Sequence, residues 1–365
     1  MKDLALHFPE TGWERIRRDW SAWWAGELER PLVVLECVPR SERYAPHWAS
    51  VFLTNYSPDD PLDPILAEFD SRLESTHWLG DSFPRFWVNF GPGVAAAFAG
   101  AQVHPSWDTT WFSPGGTGPL SEFHVEADWS NPWWRRVDEF TRAALERWGS
   151  QLAVGLTDLG GNLDILASLR DTQQFLLDLY DAPDEVDRLA RQITPLWLRY
   201  YDEFHRLVAA TNRGTSCWSP LWAPGTCYML QSDFSYMISP RMFERLILPD
   251  LTACCDALEY PFYHLDGKGE VKHLDMLLSI ERLRGIQWIP GDGQPAPEEW
   301  LPLLKRIRDG GKLCQVFVSP EGARHIVKNL GGKGFLLVVN GYGKEFLNPE
   351  VVEAFLKTLK EEDIS

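Results

Sequence analysis

Short apolar runs alternate with stretches of helical period along most of the chain. Eight such runs fall at residues 31–38, 85–90, 152–157, 216–222, 261–266, 285–289, 313–318 and 335–339. Each is bounded by Gly, Pro, Asn, Asp or Ser, as buried strands are. Between them the period changes from two to 3.6. Residues 11–26 place Trp13, Ile16, Trp20, Trp23 and Trp24 on one side of a helix. Further helices are predicted at 64–79, 94–101, 132–148, 297–309, 320–330 and 349–360. The longest, 183–210, repeats apolar residues from Val186 to Leu207, with a kink predicted at Pro195. Eight buried strands alternating with helices favour an α/β fold of the TIM type, a (β/α)8 barrel, over an open doubly wound sheet. Residues 1–365 read as one domain with an elaborated N-terminal region. Residues 103–130, dense in Pro, Gly and Trp, read as an insertion over the barrel mouth, with a hairpin arm at 120–125.

In such a barrel the chemistry gathers at the C-terminal ends of the strands. The residues predicted there are largely polar: Glu36, Asn89, Asp158, Gln231, His264, Asp266, Gln287, Asp292, Gln315 and Tyr342, with Trp222 and Trp288 among them. Polar side chains at the ends of apolar strands are poorly explained by packing, because burial costs free energy unless they are paired. Asn162, Asp164 and Asn340 are better read as caps and turn formers. His264 and Asp266, two residues apart on one strand, share a face. Two roles are open to them. They can act as acid, base or metal ligands, or Asp266 can cap the helix expected near Gly269 while His264 bonds within the barrel. Asp233 lies before a helix already capped by Ser239 and opened by Pro240, which leaves it without a capping duty. Cys227, in the same predicted loop, reads as a buried thiol.

Composition narrows the partners. A formal charge of -17 repels nucleic-acid backbones and anionic membrane surfaces. Six cysteines show no C-x-x-C spacing, no apolar run reaches the length of a membrane span, and the N-terminus lacks a signal-peptide core. A cytoplasmic protein is therefore expected. No G-x-G-x-x-G follows a strand and no phosphate-loop motif is present, so the common nucleotide signatures are missing. Of the eighteen tryptophans, Trp111, Trp218, Trp222 and Trp288 fall near predicted loops, where a platform would suit a sugar, a macrocycle or a quaternary amine.

Several segments resemble the uroporphyrinogen decarboxylase superfamily, which includes the corrinoid-dependent methyltransferases acting on coenzyme M. Ser232-Asp233-Phe234 through Ser239-Pro240-Arg241-Met242-Phe243-Glu244 to Pro249 is similar to that superfamily's loop and S-P-x-x-F helix. His264-Leu265-Asp266-Gly267 is similar to the segment holding the methyltransferases' His-x-Cys zinc ligands. Arg30-Pro31 and Gly341-Tyr342-Gly343 are similar to the opening and closing landmarks. Asp266 stands where the methyltransferases carry cysteine, no cysteine follows the final strand, and Tyr342 replaces the decarboxylases' Gly-His-Gly histidine. The resemblance implies a barrel enzyme with catalytic residues among His264, Asp266, Asp233 and Tyr342. It also implies a zinc ion on His264 and Asp266, with oxygen ligands altering its softness, and a corrinoid on a separate carrier protein. The leading expectation is methyl transfer from that corrinoid to a metal-activated acceptor. A decarboxylase or other lyase acting on a small acid or sugar acid is the second, and non-catalytic binding of a carbohydrate or amine the third. The expected partners are a small-molecule substrate, the corrinoid carrier protein and a second copy in a homodimer.

Overall fold

The computed structural model describes residues 1–37, 51–116, 118–341 and 343–362. The chain opens with α1 (Gly12–Trp24), β1 (Leu32–Cys37), α2 (Leu62–Ser75), β2 (His77–Gly80) and β3 (Arg85–Trp87). Then come α3 (Ala95–Phe98), a hairpin of β4 (Gln102–Pro105) and β5 (Thr110–Ser113), α4 (Pro132–Trp148) and β6 (Ala153–Gly155). Three helices follow, α5 (Asn162–Arg170), α6 (Thr172–Asp181) and α7 (Pro183–Ala209), and after them β7 (Thr215–Ser216), β8 (Trp222–Ala223) and β9 (Cys227–Leu230). From α8 (Pro240–Leu246) and α9 (Leu248–Ala257) onward the alternation is regular. It runs through β10 (Tyr260–Asp266), α10 (Leu274–Ser279), β11 (Gly285–Ile289), α11 (Leu301–Asp309), β12 (Leu313–Val318), α12 (Pro320–Leu330), β13 (Phe335–Val339) and α13 (Pro349–Glu362).

The central sheet has seven strands in the order β2-β1-β13-β12-β11-β10-β9, all parallel except the β1–β2 pair. Successive strands are joined by helices, so the outer faces of the strands and the apolar faces of the helices form one core. Among the described residues the ladder does not close into the expected eight-stranded ring. β3 pairs only with β6, and β7 only with β8, because these strands are two or three residues long and hold few ladder bonds. Discrete contacts span the interval. Leu156 N donates to Ser216 O at 3.0 Å. Ser82 Oγ receives from Leu35 N and donates to Leu35 O, both at 2.8 Å. Arg85 Nε meets Glu36 Oε1 at 2.7 Å between β3 and β1.

The N-terminal ends of the strands are covered by α1. Trp23 stacks on Phe262 of β10 at 6.0 Å, and Trp24 Nε1 donates to Trp222 O at 2.9 Å. Phe262 in turn occupies the space beside Gly285, where a side chain on β11 would overlap its ring. This end is sealed by aromatic rings, which leaves the polar ends of the strands as the accessible rim.

Three segments differ from the sequence expectation. The strand expected at 216–222 is a reversal: the chain leaves β7, turns at Ser219-Pro220, returns antiparallel as β8 and then enters the sheet as β9. Cys227, expected in a loop, therefore lies in β9, the last strand of the seven-stranded ladder, where burial pushes its thiol well above the usual range. Within 103–130 the hairpin is β4–β5, and residues 120–122 form a 3-10 turn instead of an arm. The helix predicted from 64 ends at Ser75, and β2 follows it. α7 runs as one helix through Pro195. No helix among the described residues is long and apolar enough to cross a membrane.

Candidate functional site

The seven-residue strand β10 projects His264 and Asp266 to one side of the sheet, because alternate residues of a strand share a face. Asp233, which opens the 3-10 turn after β9, joins them. One ligand atom from each of Asp233, His264 and Asp266 lies within 4.8 Å of the others. His264 and Asp266 are half-buried and Asp233 is exposed. Asp233 is held there by its backbone. The Asp164 carboxylate accepts from Asp233 N at 3.1 Å, Phe234 N at 2.7 Å and Gly161 N at 3.2 Å. It thereby pins the 3-10 turn Asp233–Met237 and the start of α5 together. The capping role read for Asp164 is what the geometry gives, extended to a second loop.

Behind His264 runs a buried polar rung. His264, Gln287 and Gln315 are register partners across β10, β11 and β12. His264 Nδ1 bonds Gln287 Oε1. Gln287 Nε2 donates to Gln315 Oε1 at 2.6 Å and Ser219 Oγ at 3.2 Å. Gln315 Nε2 donates to Pro220 O at 3.3 Å. Both glutamines are fully buried, so this bonding offsets an otherwise large desolvation cost. The edge of Trp218 packs against the His264 ring, centroids 5.1 Å apart.

The electrostatics follow from burial and crowding of like charge. Although Asp233 exposes part of its surface, desolvation of its carboxyl by the surrounding protein atoms, with Asp266 close by, pushes it up to about 6. Burial lowers the His264 imidazole below its ordinary 6.5, against the opposing pull of Asp266 and Gln287. The ring is therefore neutral at physiological pH, the form that ligates metals. Glu270, which sequence reasoning did not single out, is buried beside the cluster. Its Oε2 receives from Tyr263 OH at 3.3 Å and Asp266 N at 3.4 Å. Burial and the nearby Asp233, Asp164 and Asp266 charges raise its carboxyl far above the usual range. Its only advance signal was position, four residues beyond Asp266 in a Gly-Lys-Gly-Glu turn. Asp266 caps no helix: the 3-10 turn after it starts at Val271, with Glu270 at its N-cap.

The other candidates divide. Asp292 is exposed and lines, with Asp266, a cavity of about 540 Å³ walled by Ile289, Pro290 and Pro295. Gln231 follows β9 directly, with its Oε1 buried and unbonded among the described residues. Gln287 and Gln315 lie in the rung behind His264. Asp158 is buried, its carboxyl raised to about 7, and accepts from Gly160 N at 2.8 Å. Asn89 is buried and its Oδ1 accepts from Gly91 N at 3.0 Å in the turn after β3. Glu36 is engaged with Arg85. Trp222 is a correction: the β7–β8 reversal carries it to the sealed end of the strands, against Gly214. Trp288 is another. It follows inward-facing Gln287 and so points outward, fully buried against Trp300 at 5.0 Å. Tyr342 lies outside the described residues.

Fold and site together define an α/β protein with a largely parallel sheet and a carboxylate–imidazole cluster at the C-terminal strand ends. Compared by sequence, the chain matches no protein-family model and no curated protein. Among solved structures its fold is similar to that of a methyltransferase from Methanosarcina mazei, with a TM-score of 0.61 at 13% identity over 95% of this chain and 98% of that one. The likeness is one of fold.

Proposed function

We propose that Asp233, His264 and Asp266 bind a divalent metal ion, zinc first among them, in a methyl-transfer enzyme built on a (β/α)8 barrel whose open arc passes through β3, β6 and β7. The observation that carries this is the convergence of three ligand atoms within 4.8 Å. Zinc takes imidazole nitrogen and carboxylate oxygen at about 2.0–2.2 Å, so two ligands on one ion stand roughly 3–4 Å apart. The 4.8 Å spread of the cluster is wider than that, so closure onto an ion would draw the three side chains together. Buried polar atoms beside the cluster add to the fit. Gln231 Oε1, Ser232 Oγ and Glu270 Oε1 have no hydrogen-bond partner among the described residues, and each lies within four residues of a proposed ligand. Two mutually repelling carboxylates next to a neutral imidazole are stabilised by a cation.

His264 would offer a nitrogen, and Asp233 and Asp266 one oxygen each, with the two carboxylate charges balancing a divalent ion. Such an ion, when bound, lowers the pKa of a coordinated acceptor and so supplies the nucleophile. The cavity shared by Asp266 and Asp292 has the volume of a small acceptor. Trp218 covers one side of the His264 ring and limits water there. In this reading the methyl donor is a corrinoid that stays on a separate carrier protein. The fold likeness to a methyltransferase supports methyl transfer as the reaction type.

Metal analysis of purified protein and Zn²⁺ titration of the chelator-treated protein test the reading. Stoichiometric binding lost in His264→Ala, with the fold retained, is expected. Protein that takes up no divalent ion overturns it. A lyase acting on a small acid is a second reading, supported by Asp233, whose carboxyl near 6 suits proton exchange close to neutral pH. Release of carbon dioxide that survives metal removal and falls in Asp266→Asn would favour it. For non-catalytic binding, two of the four tryptophans expected to form a platform, Trp222 and Trp288, are buried, which leaves Trp218 beside His264 and the exposed Trp111.

A further inference from the structure

The hydrogen-bond rung behind His264 has a direction, and it can be read from its far end. Pro220 O is a backbone carbonyl and can only accept, so the Gln315 group facing it at 3.3 Å is the amide NH2. Gln315 Oε1 then points the other way and must accept. It receives from Gln287 Nε2 at 2.6 Å and from Ser219 Oγ at 2.9 Å. With its NH2 so engaged, Gln287 presents Oε1 to His264 Nδ1. A carbonyl oxygen has no proton to give, so the ring nitrogen facing it carries one.

We infer that Gln287 and Gln315 are positioning residues that hold His264 in the Nδ1–H tautomer and leave Nε2 as the only lone pair of the neutral ring. Their sequence pattern puts both glutamines among the polar residues expected at the chemical face of the strands. Their complete burial and mutual bonding assign them to the imidazole instead. Both amides are needed: removing Gln315 frees Gln287 to rotate and offer its NH2 to Nδ1, which would move the ring proton to Nε2 and turn a ligand atom into a donor. The consequence for metal binding rests on the proposed function, whereas the tautomer does not.

The experiment is nitrogen NMR of metal-free protein labelled with ¹⁵N-histidine, at a pH where the ring is neutral. The His264 resonances are identified by their loss in His264→Gln. Nδ1 is expected in the protonated, pyrrole-type range and Nε2 in the unprotonated, pyridine-type range. Gln287→Met and Gln315→Met should each mix or reverse this pattern, and Gln287→Glu, which keeps the acceptor, should preserve it. Zn²⁺ affinity should fall roughly 10–100-fold in the two methionine variants, as for other groups that orient a ligating histidine. A wild-type Nε2–H signature, or an unchanged pattern in folded Gln287→Met, overturns the inference. The expected tautomer in a protein that binds no metal would uphold it and sink the metal reading alone.

Discussion

Asp250 offers a quantitative check on how this fold treats buried charge, at a point well separated from the rim. It sits near the start of α9, facing α7 across a groove of about 450 Å³, and Thr194 Oγ1 donates to its Oδ1 at 2.6 Å. Burial raises its carboxyl to about 7, against roughly 3.9 in an unfolded chain. A raised carboxyl means that the native state holds a proton the unfolded state has released. Its contribution to stability is complete below about pH 3.9 and disappears as pH rises through 7. Between pH 5 and pH 7 the native state keeps a proton that the unfolded state has lost, and at 1.36 kcal/mol per unit those two units lower stability by about 2.7 kcal/mol, with little further change to pH 8. Asp250→Asn copies the protonated form and keeps the oxygen that Thr194 uses. Urea unfolding followed by tryptophan fluorescence at pH 5, 6, 7 and 8 should therefore already show the variant about 1.5 kcal/mol more stable at pH 5, about one unit above the unfolded-state pKa. At pH 8 the variant should be more stable by about 4 kcal/mol, so that the gap widens by about 2.7 kcal/mol across the range. Asp158, Asp164 and Asp233 titrate in the same sense in both proteins, so the difference between the two curves carries the result. Parallel curves across this range would refute the reasoning.

Gly160→Ala should cost roughly 2–4 kcal/mol, measured by the same unfolding assay, because φ is +76° and a Cβ would lie 2.7 Å from Gly93 Cα. A near-neutral result would mean that the β3 and β6 loops are not locked together at this point. Glu36→Gln should destabilise by about 1.5–3 kcal/mol, since it puts a neutral amide in place of the carboxylate that the Arg85 guanidinium, 6% exposed, meets at 2.7 Å. A loss under about 1 kcal/mol with altered ligand binding would return Glu36 to the site.

How much could be read in advance depended on strand length. β11, β12 and β13 lie within the bounds their apolar runs indicated, as do α4 and α12, whose starts carry Asn131-Pro132 and Ser319-Pro320. β2 and the β7–β8–β9 reversal were illegible because runs of two to four residues carry no measurable period. The same reversal misplaced Trp222 at the rim. At the site, His264 and Asp266 followed from the two-residue repeat of a strand, and Asp233 from its lack of any cap to make. The roles of Gln287 and Gln315 were not legible, since only cross-strand register reveals that positions 264, 287 and 315 stand side by side. Trp288 shows the reverse error: its neighbour faces inward, so it must face out, but a single residue's shift in the assumed alternation hides this.

For anyone altering this protein, the polarity of that rung has an unusual heritability. Its terminus at position 220 is main chain, and every amino acid brings a carbonyl there, so no codon change at 220 deletes the anchor. The two amides are exposed to mutation in a way their anchor is not. Drift at 287 or 315 would therefore flip or silence the imidazole while every residue of the carboxylate cluster remained intact. A survey of variants that counted only Asp233, His264 and Asp266 would score such proteins as competent.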